Sequence, residues 1–308
     1  MMTDNKKMSV KEGIAGLLLL AVSLVLLLSS GADAGLVGEN TTVISRVNVT
    51  NAPPAITNIT IDDPIDLIAN STRTVVCNVT VQDYNGVADI VNVNATLYDF
   101  AESSLFADDH PRTHYTNESC IEDDVIDAVT ALYRCTFEVE YYANPGTWTC
   151  HAYANDTFGI STNRAENTTI NTLIALMTPE IIDYGDIPVL DISANIEANV
   201  TNVGNTMINL TLYGYNNTPS DGLAMGCEQG NISYINQRWS LTDDAWASMN
   251  ILDNDAPEIV PGLTIGHRNN TIEESVNTTH WKLFVSEVGI PFGICTGQII
   301  FGALEAFP

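Results

Sequence analysis

The chain has 308 residues, 45% of them hydrophobic, with 11 Lys and Arg set against 38 Asp and Glu for a net charge of -27. A nucleic-acid partner requires a basic patch that displaces counterions, and the eight Lys and Arg beyond residue 34 do not supply one. The length suits two domains with separate cores.

At the N-terminus, Lys6, Lys7 and Lys11 precede the apolar run 14–28, and Ala32-Asp33-Ala34 offers a small-residue cleavage site. This is the layout of a secretory signal peptide over residues 1–34, with a mature, extracellular chain beginning at Gly35. The run also approaches the ~20 apolar residues that span a bilayer. Retention as an N-terminal hydrophobic helix, the chain's one membrane contact, is therefore the alternative. Lys11-Glu12-Gly13 resembles the processing site of archaeal type IV pilin precursors, which implies a pilin-like subunit that keeps this helix as a filament core.

Residues 35–54 form a polar lead ending in Pro53-Pro54, with 41–50 reading as a strand and 40–50 as a donor strand for a neighbouring subunit. From 55 onward, short alternating runs are separated by turn signals such as Tyr84-Asn85-Gly86 and Asn144-Pro145-Gly146. Thr178-Pro179 punctuates the chain, and a second set of runs follows. Only 122–132 and 241–250 suggest short helices. The expected fold is all-β: two antiparallel sandwich domains, 55–175 and 176–308, after the signal or helix.

The run 73–83 poses a question of faces. Val75, Cys77, Val79 and Val81 share one side of a strand, while Asn78 and Thr80 share the other. A glycosylation sequon, N-x-[ST], spans two residues and a strand repeats every two, so Asn and Thr project together while the middle residue turns inward. The chain has fifteen sequons, at Asn40, Asn48, Asn58, Asn70, Asn78, Asn94, Asn117, Asn155, Asn167, Asn199, Asn209, Asn216, Asn231, Asn269 and Asn277. With Ser and Thr at about 16% of positions, about five would arise by chance. Asn also has low strand propensity. A coat of N-linked glycans explains the excess; strand alternation alone is the competing explanation.

Six cysteines, Cys77, Cys120, Cys135, Cys150, Cys227 and Cys295, read as three disulfides in an oxidising compartment, with 15 connectivities open. The stretch 145–159 resembles the F strand and turn of an immunoglobulin-like domain, with Trp148, Cys150 and Ala152 inward. That resemblance implies a Cys77–Cys150 bridge between sheets, which leaves Cys120 to Cys135. It departs from the family at Trp148, where a tyrosine is usual and an indole cannot make the tyrosine-corner bond in the same geometry. The surroundings of Cys135 and Cys150 resemble archaeal surface proteins. In the second half, Asp183-Tyr184-Gly185 followed by Val200-Thr201-Asn202-Val203-Gly204-Asn205 resembles the opening of ASH and CARDB modules. Gly204-Asn205 is expected to form a positive-φ turn, and Cys227 with Cys295 to staple the far part of that domain.

Motifs for phosphate loops, serine hydrolases, zincins and EF-hands are absent, so no enzyme is expected. Asp108, Asp109, His110 and His114 offer metal-donor atoms, but Pro111 interrupts them and an exposed loop is the default. The acidic pairs and triplets at 62–63, 122–124, 243–244 and 253–255 offer oxygens for a structural calcium ion or are solvated surface charge. No other cofactor is implied. His151 and His280 are expected to face outward. Trp239, Trp246 and Trp281 suit a buried core better than a sugar platform. The reading is a secreted structural or adhesive glycoprotein of an envelope or filament, self-associating through strand edges. A pilin-like subunit, a carbohydrate- or metal-binding module and a receptor-like module are the alternatives.

Overall fold

A computed structural model describes residues 42–306. The signal or helix at 1–34 and the sequon asparagine Asn40 lie outside them. Residues Met1–Val49 and Thr50–Pro308 form two separate units. Of the first, residues 42–49 carry no strand and are exposed throughout. Of the strand expected over 41–50, the described residues 42–50 form none.

The first half of the larger unit holds β1 (Ala55–Ile61), β2 (Thr72–Gln82), β3 (Ile90–Asp99), β4 (His114–Asn117), β5 (Ile121–Val125), β6 (Thr130–Glu140), β7 (Gly146–Asp156) and β8 (Ser161–Ile170). They form two four-stranded antiparallel sheets, β1-β2-β6-β5 and β4-β3-β7-β8. Alternation dictates which face closes. Val75, Val79 and Val81 from one sheet meet Val93, Ala95, Leu97 and Trp148 from the other in one buried cluster. Fully burying each larger side chain contributes about 1.5–3 kcal/mol.

Two disulfides lie within this core. Cys77 of β2 bonds Cys150 of β7 and so joins the sheets, and Cys120 bonds Cys135 of β6. Cys77 and Cys135 are register partners on neighbouring strands, so the bridges stand side by side. Trp148 is fully buried, and its indole is hydrogen-bonded. Its Nε1–H donates to the Asn144 carbonyl at 2.9 Å, four residues upstream.

The helices suggested by 122–132 and 241–250 do not form. The first span is taken by β5, the turn at 126–129 and the start of β6, where the β-branched Val125 and Thr130 favour extended backbone. The second holds a 3-10 turn, Trp246–Ser248, and the first residue of the short strand Asn250–Ile251.

The second half contains β9 (Leu176–Met177), β10 (Ile196–Asn202), β11 (Ile208–Tyr215), β12 (Leu223–Gln229), β13 (Asn231–Ser233), β14 (Gln237–Ser240), β15 (Asn250–Ile251), β16 (Glu258–Ile265), β17 (Val276–Leu283), β18 (Phe292–Thr296) and β19 (Gln298–Glu305). Its sheets run β15-β14-β17-β10-β9, β16-β11-β19 and β13-β12-β18. Ala198, Val200 and Trp281 from the first pack with Ile208, Leu210, Leu212 and Ile265 from the second. Cys227 and Cys295 are register partners on β12 and β18 and are bonded. Gly297 joins β18 to β19 at a point where a Cβ would lie 1.8 Å from the Ala224 carbonyl oxygen, so no side chain fits there.

The phrase at 202–205 does something other than turn through positive φ. Neither Gly204 nor Asn205 has positive φ. A Cβ on Gly204 would lie 2.1 Å from the Leu173 carbonyl oxygen, so close packing selects glycine there. Asn205 is fully buried; its Nδ2 donates to the carbonyls of Ala143 and Asn171, each at 3.0 Å, while its Oδ1 accepts from Leu173 N–H at 2.6 Å. Asn202 similarly donates to the carbonyls of Thr206, Ile265 and Gly266. Asn205 thus clasps the two halves together beside a small cluster of Tyr141, Tyr142 and Val203.

Candidate functional surfaces

The sequon asparagines follow from the strand pattern. None of the fourteen among the described residues is buried; Asn48, Asn58, Asn70, Asn167, Asn199 and Asn269 are exposed, and Asn78, Asn94, Asn117, Asn155, Asn209, Asn216, Asn231 and Asn277 are half-buried. Their amides differ in engagement. Asn117 Nδ2 donates to the Thr136 carbonyl at 3.0 Å, and Asn70 Nδ2 faces Met177 Sδ at 4.0 Å. Asn167, Asn199, Asn209 and Asn216 use only Oδ1, as acceptors from Thr149, Thr278, Thr264 and Gly226. Shared facing of Asn and Thr fails at Asn199, Asn209 and Asn277, whose Thr201, Thr211 and Thr279 are buried. At Thr201 the cause is β9, which pairs with that end of β10. Thr279 is held inside by its bond to the Ala198 carbonyl and by Trp281 Nε1–H.

The acidic clusters act as local ion pairs and turn caps. Asp62 pairs with Arg73, Asp123 with Arg134 and Asp243 with Lys282. Asp253 Oδ1 accepts the N–H groups of Asp255 and Ala256. Within 108–114, His114 departs from the expected exposed loop. It is 2% exposed and bonds Asp109 across 3.0 Å, because it begins β4 and its ring turns inward. His110 Nδ1 instead accepts from Arg112 N–H. His151 and His280 are half-buried; burial holds His151 below the usual imidazole range, and His280 bonds Asn195. Trp239 and Trp281 are core residues, whereas Trp246 is half-buried beneath the Arg238 guanidinium at 4.7 Å. The chain carries no catalytic motif, and no active site is assembled among the described residues.

Three residues that the sequence did not single out do converge. Asp83, Asp89 and Asp156 each present a carboxylate oxygen within 4.8 Å of the other two, the one such group of three or more His, Cys, Asp or Glu among the described residues. A signal was available: Asp83-Tyr84-Asn85-Gly86 and Asp156-Thr157-Phe158-Gly159 are the same D-x-x-G phrase after β2 and β7. Both glycines have positive φ, and each donates its N–H back to the aspartate carbonyl.

A groove of about 1080 Å³ runs between the segment 178–189 and β18. Its position follows from the Asp183-Tyr184-Gly185 phrase. Asp183 Oδ1 accepts Gly185 N–H at 2.9 Å, Gly185 takes φ 69°, and Tyr184 is turned into the core. There its hydroxyl accepts from Gln237 Nε2 at 3.0 Å, and burial pushes its pKa up. Ile182, Ile187, Phe292 and Ile294 line the groove, with Phe292 and Ile294 more than 70% exposed. β18 is an edge strand bonded only to β12.

No protein-family model and no curated protein matches the chain. Solved structures give distant likenesses. A chain from the CsuC–CsuE chaperone–tip adhesion subunit complex of Acinetobacter baumannii Csu pili aligns at 9% identity over 81% of this chain and all of that one, with a TM-score of 0.38. A carbohydrate-binding module of the β-sandwich superfamily aligns at 11% identity over 83% of this chain and all of its own, with a TM-score of 0.24. The C-terminal domain of the AgI/II polypeptide BspA of Streptococcus agalactiae aligns at 9% identity over 80% and 92%, with a TM-score of 0.23. At these scores the likenesses assign neither function nor partner. The chain itself is an all-β, sandwich-like protein stapled by three disulfides.

Proposed function

We propose that the protein is a secreted, N-glycosylated structural or adhesive component of a cell envelope or surface filament, joined to its neighbours by strand addition. The observation that carries this reading is the two-faced strand surface: every described sequon asparagine escapes burial, while the residues alternating with those of β2 and β3 are sealed in a disulfide-pinned core. Such a surface is suited to a sugar coat and to an oxidising exterior. The order β1-β2-β6-β5 facing β4-β3-β7-β8, bridged from β2 to β7, supports an immunoglobulin-like first domain. The Asp183-Tyr184-Gly185 turn supports an ASH- or CARDB-like second one.

The lead is the proposed donor. Val43, Ile44, Val47 and Val49 are 82–89% exposed, a cost that burial against another copy removes. The free edge of β18, beside the groove lined in part by Phe292 and Ile294, is the proposed acceptor, since an unpaired edge offers backbone groups to an incoming strand. Light scattering of the natively processed protein tests this. The wild type is expected to form multimers that both Ile44→Asp/Val47→Asp and Ile294→Asp convert to monomers. A wild type that stays monomeric at high concentration, or multimers indifferent to all three changes, would contradict it.

A further inference from the structure

We propose that Asp83, Asp89 and Asp156 form a calcium-binding site at one end of the first sandwich, independent of how the protein assembles. The three residues arrive from separate places: Asp83 just after β2, Asp89 at the end of the 3-10 turn Val87–Asp89, and Asp156 at the end of β7. Asp83 is fully buried and Asp156 is 2% exposed.

The fold engages one oxygen of Asp83, one of Asp89 and both of Asp156. Asp83 Oδ1 accepts Asn85 N–H at 2.8 Å, Asp89 Oδ1 accepts the Thr157 hydroxyl, and Asp156 Oδ1 accepts the N–H groups of Phe158 and Ile160. Asp156 Oδ2 accepts Asn51 Nδ2 at 2.7 Å. The remaining oxygens, Asp83 Oδ2 and Asp89 Oδ2, are buried and have no partner. Among the described residues, no Lys or Arg pairs with any of the three. Buried carboxylates held this close repel one another and lack solvation, so a cation between them supplies what the chain does not.

The donor chemistry selects the ion. Oxygen-only donors favour a hard cation over zinc or copper. Oxygens within 4.8 Å of one another fit a calcium sphere, whose diameter is about 4.6–5.2 Å; magnesium demands a tighter octahedron. The ion would tie together the turn at 83–89, the turn at 156–160 and, through Asn51, the segment entering β1. The strongly negative chain also raises the local cation concentration.

The test uses the natively processed protein stripped with a chelator, titrated with calcium chloride and separately with magnesium chloride. Calorimetry is expected to show one calcium site per chain. The melting temperature should rise by about 5–10 °C at a hundredfold excess over Kd. Asp83→Asn should abolish both signals and, without calcium, melt no lower than the stripped wild type, because one repelling charge is gone. Asp156→Asn gives a second reading if Asp83→Asn does not fold, and Asp62→Asn is the control that keeps binding. A stripped wild type that takes up no calcium overturns the proposal. Binding that survives Asp83→Asn and Asp156→Asn, or is lost in Asp62→Asn, overturns it as well.

Discussion

Replacing Cys77 and Cys150 together by alanine is expected to lower the free energy of unfolding by about 4 kcal/mol. The bridge closes a loop with a sequence separation of 73 residues, and releasing it returns that closure entropy to the unfolded chain. Both sulfurs are fully buried, so their loss also opens space at the centre of the sandwich. Urea unfolding followed by tryptophan fluorescence, to which the buried Trp148 contributes, reads the change, and a melting temperature lower by about 10 °C should accompany it. The shorter Cys120–Cys135 bridge, with a separation of 15, should cost about 3 kcal/mol. A Cys77/Cys150 variant within about 1 kcal/mol of the wild type would mean that the sheets close without the bond.

Asn205→Ala is expected to cost about 3–4 kcal/mol, a large effect for removing a few polar atoms. The substitution deletes two donated bonds and one accepted bond, and strands two carbonyls and one N–H where water has little access. Asn205→Asp should be at least as damaging, because it points a carboxylate at the carbonyls of Ala143 and Asn171. Asn217→Ala, at an exposed position whose loss leaves the Asn216 sequon intact, should fall within about 0.5 kcal/mol of the wild type. Denaturant unfolding of the three variants checks the ranking. An Asn205→Ala variant as stable as Asn217→Ala would show that the halves are joined by apolar contact alone.

The alternation that makes residues 73–83 legible is also why the core of the first sandwich could be read from sequence. A period of two sorts Val75, Cys77, Val79 and Val81 inward without reference to any distant partner. What could not be read that way depends on contacts between remote segments. Gly204 looks like a turn residue, yet the Leu173 carbonyl selects it from 31 positions away, by occupying the space of a Cβ. His114 looks like a loop residue until β4 turns its ring inward. The three aspartates lie up to 73 positions apart, and only the antiparallel return of β7 brings Asp156 back to Asp83. The acidic runs engage local partners for the opposite reason. Carboxylates adjacent in sequence point apart on a strand or cap their own turns, so density of charge along the chain was a poor guide to convergence in space.

The account rests on sugars carried by the wet face of sheets that are sealed on the other side, and glycopeptide mass spectrometry of the native protein tests this most directly. Asn58, Asn78, Asn94 and Asn155 make no side-chain hydrogen bond among the described residues and should carry glycans, while Asn117, its amide nitrogen committed to the Thr136 carbonyl, should be the least occupied. Native protein bearing no sugar at any of these asparagines would contradict the account.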